Sequence, residues 1–248
     1  MAVSRISLSD IENEILRIMG YASSDAAPWK SSPNLYRVIN GYMQRLPSRL
    51  IQVTQTIKDQ NQRLPVTNLP RFDMWKTSGS LTCTSGSSTV HFPVDYDHYI
   101  SFWDATNKRP LYPVEDVYKY HSDVAVRPAG PPEFIEIQGY VLNSTVWQRK
   151  GILWPSTATG VTPSITLNYW RLPAIMAGTS PTAEYPDIDV KYQNLAIYGP
   201  VVELAMPNSQ EFDRYSQLEQ NLMIEIALTG LNNKQGNMRF IHSAPALN

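Results

Sequence analysis

Residues 85–117 read SGSSTVHFPVDYDHYISFWDATNKRPLYPVEDV. A small polar turn leads into Val90 and Phe92, which alternate with Thr89 and His91. Period two puts successive side chains on opposite faces, so this is a strand with one buried face. Pro93 holds φ near −65° and lacks an N–H, so it marks a strand edge or boundary. Asp95 can cap the turn with its side chain. Tyr96, Tyr99, Phe102 and Trp103 supply large rigid area for a core or a neighbouring subunit. Asp104–Arg109, DATNKR, reads as the hairpin loop between SFW and LYP. A short helix is expected over Pro113–His121, with Val114, Val117 and Tyr118 on one side.

The same texture extends from about Phe72 to Pro173. Ile135 and Ile137 alternate with Glu136 and Gln138, and Ile165, Leu167 and Tyr169 with Thr166, Asn168 and Trp170. Several short strands at this spacing predict a sandwich or small barrel. The flanks are helical. Leu8, Ile11, Ile15 and Ile18 share a helix face, with Ser9 and Glu12 as a capping box or Ser7 as the cap. Ser32-Pro33 opens a second helix, striped by Leu35, Val38, Ile39, Tyr42 and Leu46. Pro47 is expected to break it, and Leu50, Val53 and Ile57 carry a third helix to about Asn61. Asp189–Met206 reads as a helix kinked or broken at Gly199-Pro200. A long helix striped by Phe212, Tyr215, Leu218, Leu222 and Ile226 ends near Gly230.

The fold class is therefore α+β: a helical bundle of N- and C-terminal helices with an inserted antiparallel β-sandwich or small barrel. The divisions are 1–71 for the N-terminal helices, 72–173 for the β-rich insert and 174–230 for the C-terminal helices. Residues 231–248 are left as an extended arm, whose one apolar knot is Met238-Arg239-Phe240-Ile241.

Composition removes several functions. With 248 residues the chain can bury on the order of 70% of its unfolded surface, so it needs no staples. Net charge is −1 and charged residues are 17%, without the Lys/Arg surplus that tight phosphate binding needs. Cys83 is the one cysteine, so no internal disulfide forms, and a buried strand thiol in a reducing compartment is expected. MAVSRISLSDIENEIL has no apolar core of a signal peptide, and no run is long enough to span a membrane.

Catalytic readings are weak. Asp95, Asp97 and His98 resemble metal ligands, but on a strand His98 faces away from the two acids. His121, Ser122 and Asp123 are sequence neighbours, whereas a working triad converges from separate segments. Glu133 with Glu136, or Asp187 with Asp189, could supply a carboxylate pair only if the fold converged them. TSGSLTCTSGSS, residues 77–88, lacks the Gly-Lys-Ser/Thr of a phosphate loop. Trp29, Trp75, Trp103, Trp147, Trp154 and Trp170 are expected to fill the core and subunit contacts; exposed, they could stack on sugars.

Taken in order, the segments resemble the head-to-tail adaptor, or head-completion, proteins of tailed bacteriophages. LSDIENEILRIMGY (8–21) resembles that family's opening helix and NLYRVINGYMQRLPSR (34–49) its second helix. SGSSTVHFPVDYDHYISFWD (85–104) and RPLYPVEDVYKYH (109–121) resemble its turn, strand and short helix, and ITLNYWRLPA (165–174) its closing strand. EYPDIDVKYQNLAIYGPVVELAM (184–206) and the helix from Ser209 resemble its C-terminal pair. Pro200 after Gly199 departs from the uninterrupted helix expected there. The resemblance implies a non-enzymatic virion protein at the head–tail junction, made and assembled in the host cytoplasm. It implies a homo-oligomeric ring, typically a dodecamer, docked beneath the portal protein. The other side would receive a tail nozzle or tail-tube protein, with tail fibres as a further partner. Double-stranded DNA would pass through without specific binding. No cofactor, metal or membrane is implied. Met238, Arg239, Phe240 and Ile241 are the portal-interface candidates. The rival readings are a carbohydrate- or receptor-binding β-sandwich virion protein and a cell-wall hydrolase.

Overall fold

The computed structural model describes residues 5–21, 32–60, 73–83, 86–116, 129–143, 145–158 and 160–241. The chain divides into two compact units, Met1–Met74 with Pro173–Asn248, and Trp75–Leu172. Among the described residues, the first holds four α-helices: α1 Leu8–Ile18, α2 Ser32–Gln60, α3 Leu195–Leu204 and α4 Gln210–Ile241. The described residues of the second hold seven strands: β1 Lys76–Thr82, β2 Thr89–His91, β3 Tyr96–Asp104, β4 Arg109–Val114, β5 Phe134–Asn143, β6 Val146–Trp154 and β7 Ser164–Arg171.

In the helical unit α3 touches α1, α2 and α4. Leu195, Ala196, Ile197, Gly199, Pro200 and Val201 are all buried, as a helix with apolar residues on every side requires. Ser7, not Ser9, caps α1. Its Oγ accepts from the Asp10 amide at 3.2 Å, and Asp10 reaches back to the Ser7 amide at 3.2 Å.

Neither Pro47, expected to break its helix, nor Pro200, expected to kink or break its own, ends a helix. α2 passes through Pro47 as one helix. An interior proline costs about 3 kcal/mol, but Tyr42, Met43, Leu46 and Leu50 are buried on both sides of it. Each such side chain gains about 1.5–3 kcal/mol on burial, which outweighs the break. Pro200 also sits within α3. The expected Asp189 helix is interrupted earlier, by a 3-10 turn at Val190–Tyr192 that Asp189 caps through the Lys191 amide. α3 thus starts only at Leu195, and the proline forfeits one bond near the helix start, to the Ala196 carbonyl. At the other end, α4 runs on to Ile241, so the arm expected from residue 231 is helical there. Extending an existing helix needs no new nucleus.

The segment after Leu172 straps α2. Gln44 Nε2 donates to the Pro173 carbonyl. Asn40 exchanges two hydrogen bonds with the Met176 backbone, at 2.8 and 2.9 Å. The strap closes on Glu184, whose carboxylate accepts from the Gly178 amide at 2.8 Å, the Ser180 amide at 3.1 Å and the Thr179 hydroxyl at 3.2 Å. Those amides, Gly178 first, hold Glu184 below its ordinary pKa. The Ser7 hydroxyl does the same for Asp10, and the Arg17 side chain for Glu14. A depressed carboxylate stabilises the fold fully above its unfolded value and loses that contribution as pH falls through the folded value. We therefore expect the helical unit to weaken as pH drops below about 4.5, and Glu184→Gln to flatten that acid limb. Urea midpoints between neutral and acid pH check this.

The β unit is a correction to the sandwich or small barrel. It is one curled, mixed seven-stranded sheet, a half-barrel, in the order β1-β7-β3-β4-β5-β6-β2. The expected antiparallel pairing fails at β4–β5, where Tyr112–Val114 run parallel to Phe134–Glu136. Parallel neighbours need a connection of a dozen residues or more, and residues 115–133 supply it. Pro113 and Val114, the expected start of a helix, belong to β4; residues 117–121 lie outside the described residues. The hairpin loop at DATNKR is as expected, and Asp104 organises it. Its buried carboxylate accepts from the Thr106 and Asn107 amides, both at 3.0 Å, and from the Asn107 side chain at 2.6 Å. Ile135, Ile165, Leu167 and Tyr169 point inward with Val90, Phe92 and Phe102 to form the core.

Candidate interaction site

The candidate catalytic groups that lie among the described residues make contacts within the fold. Asp95 does not cap its turn as expected in the sequence; its Oδ1 accepts the Tyr169 hydroxyl at 3.0 Å. Burial first, and then this carboxylate, push the Tyr169 phenol up to about 12. His98 stacks on Tyr99, with ring centroids 5.5 Å apart. Among the described residues, no group of three His, Cys, Asp or Glu side chains is placed to hold a metal ion. Glu133 pairs with Arg109 at 3.6 Å, and Glu136 accepts from Gln138 at 2.9 Å. Asp187 accepts the Ala174 amide at 2.8 Å, while Asp189 caps its 3-10 turn. His121, Ser122 and Asp123 lie outside the described residues. Cys83 is buried, and burial holds its thiol above the usual range.

The exposed surface is more informative. Trp75 is buried, as expected, but Trp103 is 43% and Trp147 64% exposed. Trp154 and Trp170 are half-buried, and Trp29 lies outside the described residues. Trp147 faces Leu142 across the β5–β6 hairpin, and Tyr140 faces Arg149 two residues along. Period two puts these four on one face of the ribbon. Tyr140, Leu142, Val146 and Trp147 are all exposed. Tyr140, Leu142 and Trp147 thus put exposed apolar area on one face of this hairpin, a candidate interaction surface.

In the helical unit a groove of about 600 Å³ runs beside α2 and α4. Val53, Ile57, Phe212, Met223 and Ile224 line it. The Glu219 carboxylate, in its wall, is 2% exposed and meets Arg49 Nη1 at 2.5 Å. Arg49 also lies over the Tyr42 ring, 5.2 Å from its centroid. Sequence reading missed Glu219, because a charged residue interrupts the apolar stripe of α4.

A family model described as SU10 adaptor protein matches residues 7–239. The chain belongs to the SU10 adaptor protein family. The match takes in both compact units, and it agrees with the resemblance read from the ordered segments. None of the curated proteins matches this adaptor-family chain. No described helix is long and apolar enough to cross a membrane. The portal-interface candidates Met238, Arg239, Phe240 and Ile241 occupy the last turns of α4 in the adaptor chain.

Proposed function

We propose that the protein is a structural component of a tailed-phage virion, a head-to-tail adaptor without catalytic activity. Copies form a ring, typically of twelve, that docks beneath the portal protein, extends the DNA channel and offers a platform to a tail nozzle or tail-tube protein. The observation that carries this reading is the adaptor-family match over residues 7–239. A closed ring needs a head-to-tail interface, in which one patch meets a different patch on the next copy. The exposed β5–β6 ribbon and the α2–α4 groove are two unlike surfaces of the kind such an interface uses. Near-neutral net charge suits a channel that DNA must traverse, since strong phosphate attraction would hold it.

The C-terminal end of α4 is the proposed portal contact. Deleting residues 231–248 is expected to abolish capture by the portal protein of the same genome, with the far-ultraviolet circular dichroism per residue nearly unchanged. Capture at full-length levels by the truncated chain would remove that assignment.

A carbohydrate-binding reading keeps one supporting observation, the exposure of Trp103 and Trp147. A glycan array with the full chain, and with Trp147→Ala, tests it.

A further inference from the structure

The β3–β4 ladder is short. Phe102, Trp103 and Asp104 pair with Leu111, Pro110 and Arg109, and the pairing stops there. Beyond Leu111, β4 leaves β3 and runs along β5. β3, back to Tyr96, stays on β7. The two strands diverge, and a cleft of about 370 Å³ opens, lined by Tyr96, His98, Tyr99, Ile137, Glu115 and Arg149 among others.

Both walls are irregular at this place. β3 shifts register between Tyr96 and His98 and again between Tyr99 and Ser101. β5 shifts between Ile137 and Tyr140. A bulge bends its strand and re-aims the side chains beside it. At the β5 bulge, Arg149 Nε donates to the Gln138 carbonyl at 3.2 Å. The guanidinium also lies 5.6 Å from the centroid of the Tyr140 ring. These two contacts fix the guanidinium plane. Its Nη groups have no hydrogen-bond partner among the described residues. The other charged side chain of the lining is Glu115, exposed in solvent.

We propose that this cleft binds an extended, acidic peptide segment of a partner protein. Arg149 takes the carboxylate, and the aromatic and aliphatic wall takes the neighbouring side chain. Three features select that ligand. A held guanidinium fork matches a planar carboxylate in two parallel hydrogen bonds. Strands that part lose each other as ladder partners, and an extended chain can pair with main-chain groups so released. The volume is at the small end for a ligand pocket and suits one or two side chains. The proposal goes beyond the adaptor reading and does not depend on ring formation.

The test is a nuclear magnetic resonance titration of the full-length chain with the blocked tetrapeptide acetyl-Val-Asp-Phe-Val-amide, and with the same peptide carrying Asn for Asp. The Asp peptide is expected to shift resonances of Tyr96, Tyr99, Ile137 and Arg149. The Asn peptide should bind about 10-fold or more weakly, the usual loss for a charged hydrogen-bond pair. Arg149→Gln should erase that difference. Glu115→Gln should tighten the Asp peptide a few-fold, by removing a like charge, and leave the Asn peptide unchanged. Equal binding of the two peptides, or no shifts with either at millimolar concentration, overturns the proposal. So does an Arg149→Gln chain that still discriminates. Should Arg149→Gln fail to fold, the Glu115→Gln result decides, since that side chain is exposed: no tightening overturns it.

Discussion

Gly199→Ala is expected to lower the unfolding free energy by about 3 kcal/mol, the upper end of ordinary overpacking. Gly199 lies in the middle of α3. A Cβ built there runs into Cε2, Cζ and Cδ2 of the Tyr42 ring. That ring is fully buried and lies under Arg49, so it has nowhere to swing. The expected drop in melting temperature is roughly 10 °C for a unit of this size. Thermal scans at 222 nm measure it. Shrinking the obstacle should recover part of the loss, so Tyr42→Val should destabilise less in the Gly199→Ala background than alone. Additive losses would mean that the two helices separate rather than clash.

Arg49→Met should be nearly as costly. Glu219 is 2% exposed, and Arg49 is its ion-pair partner. Removing the cation leaves a buried carboxylate without its counter-charge, at a cost of about 3 kcal/mol. Glu219→Gln should cost less, because a third of the Arg49 side chain already reaches water. Replacing both residues by Met should restore much of the stability, since well-packed apolar pairs often match buried ion pairs. Denaturant midpoints of the wild-type chain, Arg49→Met, Glu219→Met and the chain with both Met form a double-mutant cycle, and a coupling near zero would contradict the pairing.

Local features of the fold were legible where one segment decides the outcome. The DATNKR loop and the inward Ile165-Leu167-Tyr169 face follow from turn chemistry and period alone, whereas two serines competed as the cap of α1. The failures are where distant residues decide. Pro47 and Pro200 carry strong local signals for a break, but burial against partners remote in sequence overrides them. Alternation shows that a strand has one buried face, but not which neighbour it pairs with or in which direction. The parallel β4–β5 pair and the cleft beside it were therefore invisible. Tyr215 and Ile226 of the α4 stripe are buried as read, but Glu219 and Met223, rather than Leu218 and Leu222, complete the buried face. Arg149 gave no sequence signal, since its placement depends on a bulge in the neighbouring strand. The adaptor assignment was legible for a different reason: it rests on the order of many weak segments, which one proline does not disturb.

The most direct test of the central claim is mass photometry of the purified chain, alone and mixed with the portal protein of the same genome. The account predicts a ring-sized species on or with the portal, whose added mass divided by 28.1 kDa gives the copy number. A chain that stays monomeric and leaves the portal mass unchanged would contradict it.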